Sequence, residues 1–170
     1  MEERTMLIDT RYRVRLNDRP SAVVTPVKLL NITNERSVVV MAIWDTGSTY
    51  SSVTQRVIDE LGLESFSPCI TNGVGGAVTG MTRIILTFPG NSRFCTWVEM
   101  SEVIQLANRA DVLLGLDVIS RGDLHLTHER DGLWFEFVFD PSSFIDTQND
   151  DSMTVMRKLT EGLQDFRKTL

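Results

Sequence analysis

The chain has 170 residues, 42% of them hydrophobic, with two cysteines and a formal net charge of −6. That length suits one domain with a tail, and the apolar fraction is enough for a core that needs no disulfide staples. The acidic balance argues against a nucleic-acid surface, the longest apolar run (residues 38–44) is too short to cross a membrane, and the charged start Met1-Glu2-Glu3-Arg4 shows no signal-peptide pattern, so a cytoplasmic protein is expected.

Most of the chain reads as short strands separated by turns. Residues 12–16 alternate, and residues 22–32 form a β-branched stretch broken by Pro26. Residues 37–44 are almost continuously apolar, the pattern of a strand buried on both faces. Thr54 is placed to cap a helix over residues 55–61, with Val57, Ile58 and Leu61 apolar and Gly62 at its end. Residues 81–88 and 94–100 are strands flanking the turn signal Pro89-Gly90-Asn91. Residues 112–114 form a further strand, followed by a helix of little more than a turn, capped by Asp117 and stopping at Gly122. Residues 124–128 and 133–139 are the last strands, with Asp131-Gly132 as a hairpin signal between them.

Residues 11–140 thus form a mainly β domain whose natural closure is a small barrel. Residues 141–151 read as a polar linker. In residues 152–170, Met156, Leu159, Leu163, Phe166 and Leu170 recur at spacings of three and four, one stripe of an amphipathic helix. The stripe spans too few heptads to choose between a dimer contact and packing on its own barrel. Cys69 and Cys95 have no metal-ligand or redox spacing and read as buried thiols, with a bond between them left open.

The chemistry concentrates where the apolar run ends, at Trp44-Asp45-Thr46-Gly47-Ser48. A carboxylate at the end of a hydrophobic strand is a stability cost unless the next turn offsets it. Gly47 lets the backbone come close to that carboxylate, and Ser48 is placed to donate a hydrogen bond to it. The same triplet alone also fits an ordinary Asx turn closing a strand.

Two further segments change the weighting. Asp45-Thr46-Gly47-Ser48 resembles the active-site motif of aspartic peptidases. The glycine-rich stretch from Thr71 to Gly80 resembles the flap hairpin of retropepsins, and Asp111-Val112-Leu113-Leu114-Gly115-Leu116-Asp117 resembles their second signature. All three occur in the family's order, and the likeness is greatest to bacterial single-domain members. It implies a closed retropepsin-like acid-protease barrel, with two short helices and a C-terminal amphipathic helix.

The resemblance also implies a function. The motif occurs once, so a homodimer would bring two copies of Asp45 together as a homodimeric aspartic endopeptidase acting on a peptide or protein substrate. Thr46 and Gly47 complete the catalytic triplet, with Thr46 reaching across the dimer, while Ser48 and Gly115 support the loop. Gly73, Val74, Gly75 and Gly76 form the flap tip, and Val78 and Ile84 line the cleft. No metal, cofactor, nucleic acid or membrane is implied. The alternative is a non-catalytic peptide-binding or dimerisation module that retains the fold.

One departure stands out. Retroviral members pair an acid shortly after the triplet glycine with an arginine after the second-motif glycine; this chain has Thr49 and Leu116 there. His125 and His128 fall on opposite faces of a strand without a carboxylate or cysteine cluster, so neither a metal site nor a Ser-His-Asp triad is indicated. Trp97, Trp134 and Phe135 read as core or interface.

Overall fold

The computed structural model describes residues 10–17, 20–70 and 78–148. In chain order these form β1 (Arg11–Arg15), β2 (Val24–Asn31), β3 (Arg36–Trp44), β4 (Ser52–Thr54), α1 (Gln55–Leu61), β5 (Ser67–Ile70), β6 (Val78–Phe88), β7 (Asn91–Val103), β8 (Val112–Leu114), α2 (Leu116–Ile119), β9 (Gly122–Glu129), β10 (Gly132–Phe139) and β11 (Ile145–Asp146).

The larger sheet closes on itself. β7 pairs with β4, β4 with β8, β8 with β3, β3 with β2, β2 with β6, and β6 returns to β7. The result is a six-stranded barrel, the mainly β, retropepsin-like architecture expected from the sequence. β5 extends β6 and β11 extends β7, while β1, β10 and β9 form a separate three-stranded antiparallel sheet.

Alternation along β6 explains the interior. Ile84, Leu86 and Phe88 are fully buried in the main core, and Ile85 between them belongs to a separate apolar cluster. The small sheet adds Tyr12, Phe135, Phe137 and Phe139 to the same core, where Trp44 and Phe88 meet them ring to ring. Pro26 is tolerated within β2 because β6 reaches only Lys28, Leu29 and Leu30. At Pro26 the strand has one neighbour, so the missing N–H costs little.

The turns follow their signals. β6 and β7 are joined through Pro89-Gly90, with Gly90 at φ 83, and β9 and β10 through Arg130-Asp131, with Gly132 at φ 136 opening β10. α1 begins and ends where expected and buries Val57, Ile58 and Leu61. Gly62 closes it in the left-handed region at φ 61, and Asn31 and Asn34 donate to the carbonyl of Leu61.

Three expectations need correction. Thr54 sits at the N-cap of α1, yet its hydroxyl donates to Asp111 Oδ1 at 3.0 Å instead of capping the helix. α2 is capped by Gly115, so Asp117 lies inside the first turn rather than at its start. Residues 141–148 are not a linker: Phe144 is buried among Phe88, Phe137 and Phe139, and β11 pairs with β7. Arg93 holds Asp146 through two hydrogen bonds of 2.7 and 2.5 Å. The expected amphipathic helix over residues 152–170 lies outside the described residues.

Candidate active site

β8 runs between β3 and β4, parallel to the first and antiparallel to the second. The loop that joins β3 to β4, residues 45–51, must therefore cross the C-terminal end of β8. The two sequence motifs meet at that crossing. Asp45 N–H donates to Leu114 O at 3.0 Å, Leu116 N–H to Ser48 O at 2.8 Å, and Asp117 N–H to Thr49 O at 3.2 Å.

Gly115 is where the two segments touch. A Cβ built there would lie 2.7 Å from the carbonyl carbon of Tyr50 and 2.9 Å from Ser48 O, closer than any side chain is accommodated. Its N–H donates to Ser51 Oγ at 3.1 Å, and that hydroxyl donates to Asp117 Oδ1 at 2.8 Å. Ser51 is fully buried, and its carbonyl accepts from Ser101 N–H at 3.0 Å. Sequence reading did not single out Ser51, because a serine in the run from Ser48 to Ser52 carries no signal until the crossing is known.

Asp45 itself is half-buried. Trp44, one residue earlier, anchors the strand end: its ring sits in the aromatic core and its Nε1 donates to Thr25 Oγ1 at 2.8 Å. Beyond it the chain turns at once, with Ser48 N–H on Asp45 O at 3.2 Å. Gly47 N–H donates to Asp45 Oδ1 at 2.9 Å, and a Cβ on Gly47 would stand 3.2 Å from that oxygen. Asp45 Oδ2 has no hydrogen-bond partner among the described residues. The carboxylate is thus held at one oxygen, with the other unpartnered among the described residues.

Ser48 departs from expectation. Its hydroxyl donates to Tyr50 O at 3.0 Å and stabilises the turn rather than the carboxylate. Thr46 is exposed on the same loop, as is Tyr50 at 65%, and Leu116 of the second motif is 42% exposed. Where retroviral members carry an ion pair, this chain links Thr49 to the second motif through the backbone alone.

The expected flap residues Gly73, Val74, Gly75 and Gly76 lie outside the described residues. Their flanks are paired strands, with Ile70 opposite Val78. An open cleft of 460 Å³ lies at the foot of these strands, lined by Ser65, Phe66, Ser67, Pro68, Thr79 and Gly80. Ile84 requires correction: it faces the barrel interior with no exposure and does not line a cleft.

At the other end of β8, Asp111 accepts from Arg56 Nε at 3.0 Å and Nη2 at 2.7 Å. The Arg56 guanidinium holds its carboxyl below the usual range, with Thr54 assisting and partial burial opposing. This pair ties α1 to the strand beneath the site. His125 and His128 are exposed on β9, and among the described residues no group of histidine, cysteine or acidic side chains is arranged to hold a metal. No helix among them is long and apolar enough to cross a membrane.

No protein-family model and no curated protein matches this sequence. Solved structures do. The chain is similar to the EIAV protease complexed with the inhibitor HBY-793, at 18% identity over 62% of this chain and 91% of that one, with a TM-score of 0.44. It is similar to a retropepsin-like aspartic protease from Rickettsia conorii, at 12% identity over 75% and 88%, with a TM-score of 0.47. A third likeness is to the retroviral protease-like domain of Ddi1 from Leishmania major, at 18% identity over 78% and 99%, with a TM-score of 0.45.

Proposed function

We propose that this chain is one subunit of a homodimeric aspartic endopeptidase. The observation that carries the reading is the setting of Asp45. It follows a strand that is continuously buried only over its last three residues, Ala42, Ile43 and Trp44, and not on both faces along its length as the apolar run suggested, since Val39 and Met41 are exposed. One oxygen is held by Gly47 N–H, the other is unpartnered among the described residues, and its loop is braced from behind by Gly115. A structural aspartate closing a turn would have no need of a second motif packed against it.

Two such carboxylates facing each other across a two-fold axis cannot both ionise, so they share a proton. The ionised Asp45 takes a proton from a water held between them, and the water oxygen attacks the peptide carbonyl. The partner's Asp45, protonated, donates to the carbonyl oxygen. Acid–base action of this kind contributes about 10²–10⁴-fold. The substrate is an extended peptide bound in part as an added strand. In this reading Thr46, exposed on the loop, meets its counterpart across the axis.

Mixing subunits tests this reading. Native and Asp45→Asn chains, combined in equal amounts and allowed to exchange, should retain about one quarter of the activity of the all-native dimer, because one pairing in four carries both carboxylates. Retention of about half would mean that each subunit works alone. No cleavage by the native chain at any mixture would favour a binding module over an enzyme.

A further inference from the structure

Just past α2, the half-buried Arg121 spends its hydrogen bonds on uncharged oxygens. Nε donates to Asp117 O at 2.7 Å, and Nη1 donates to Thr96 Oγ1 at 2.6 Å and to Trp97 O at 3.0 Å. Burial pulls the pKa of this guanidinium down, with the charge of Asp117 working against that. A cation drawn partly out of water onto neutral acceptors is a stability cost. What it contributes is direction, because a planar guanidinium fixes several acceptors at once.

The guanidinium meets β7 where the sheet is open. β6 pairs with β7 over residues 95–101, so β11, at Phe94 and Cys95, and β4, at residues 101–103, both lie along the opposite edge. Between them, residues 96–100 have no strand partner on that edge among the described residues, and Trp97 O within this stretch accepts from Arg121. Arg121 also closes α2. The N–H groups of Ser120 and Arg121 turn back to Leu116 O and Val118 O, which leaves Asp117 O to the Arg121 side chain. At its other end α2 holds the loop that carries Asp45. Leu116 and Asp117 N–H donate to Ser48 O and Thr49 O, and Asp117 Oδ1 accepts from Ser51 Oγ. A helix of four residues does not hold itself in place. Val118 and Ile119 are buried beneath it, but apolar contact is non-directional.

We propose that Arg121 is a positioning residue of the active site: by fixing α2 to β7, it sets the strut from which Leu116 and Asp117 hold the loop of Asp45. It acts through Asp117 and makes no hydrogen bond to Asp45 itself. This role rests on the peptidase reading.

Steady-state kinetics of the full chain carrying Arg121→Met, on a peptide that the native chain cleaves, test the proposal. The assay is run below each variant's melting temperature and at subunit concentrations that saturate the rate per subunit. kcat should fall by about 10- to 100-fold, the effect of a misplaced catalytic group. KM should stay within about twofold of native, because the substrate contacts are kept. Arg121→Lys keeps the charge but not the planar fork, so it should recover only part of kcat. Arg93→Met releases β11 from the same strand and should lower the melting temperature with kcat unchanged. Should Arg121→Met not fold, Arg121→Lys carries the test, with the same split at smaller size. Hydrogen exchange in the Arg121 variants should be faster at residues 48–51 and 115–117 and unchanged in β2 and β6. Native kcat or native exchange in both variants would overturn the proposal. So would a loss of rate that vanishes at higher subunit concentration, because Arg121 would then serve pairing. Failure of the native chain to cleave any peptide would instead bring down the peptidase reading, and this proposal with it.

Discussion

The carboxylate of Asp45 is aimed by two glycines that do different work. Gly47 brings a backbone N–H to Oδ1, and Gly115 lets one segment rest directly on another. Gly115→Ala should therefore cost about 1–3 kcal/mol, since backbone on both sides must shift; thermal denaturation reads the loss. Asp45→Asn keeps an amide oxygen for Gly47 N–H, so its melting temperature should stay near that of the native chain while any cleavage disappears. Ser51 offers the sharper contrast. Ser51→Ala leaves the Gly115 N–H buried without an acceptor, a loss of about 1–3 kcal/mol measurable by denaturant unfolding. Asp45 and Gly115 are legible in the sequence because a motif carries them. Ser51 is not, since its role exists only once β8 is threaded between β3 and β4.

Elements show the same division. Long strands announce themselves by alternation and turns by their glycines, which is why β3, β6, β7 and β10 lie close to where the pattern puts them. β4 has three residues and β11 two, too few for any period, and each is created by a neighbour's free edge. The composition of residues 141–148 suggested a linker because its anchors, Phe144 and Asp146, act through tertiary contacts. The link between α1 and β8 is likewise a pairing across sequence, Arg56 with Asp111. Asp111 has its pKa lowered on folding, chiefly by Arg56, so the pair stabilises the fold above the ordinary carboxylate range. That contribution is lost as pH falls through the lowered folded value. Arg56 is half-exposed, so screening keeps the effect below about 1 kcal/mol. Stability measured against pH should show a shallower acid-side decline in Asp111→Asn than in the native chain.

The described residues form a closed barrel that carries the site loop at one end of β8 and a small apolar cluster around Ile85 and Cys95 apart from the main core. In the proposed dimer, the exposed groups around the loop, Thr46, Tyr50 and Leu116, are the ones expected to meet the two-fold partner. A subunit with one catalytic carboxylate should be inactive alone, and dilution should abolish activity before it unfolds the chain. The measurement that bears most directly on this account is digestion of a diverse peptide library at several pH values, read by mass spectrometry over a range of subunit concentrations, with Asp45→Asn in parallel. The account predicts cleavage by the native chain alone, rising more steeply than linearly with concentration. Equal cleavage by the native and Asp45→Asn chains would contradict it.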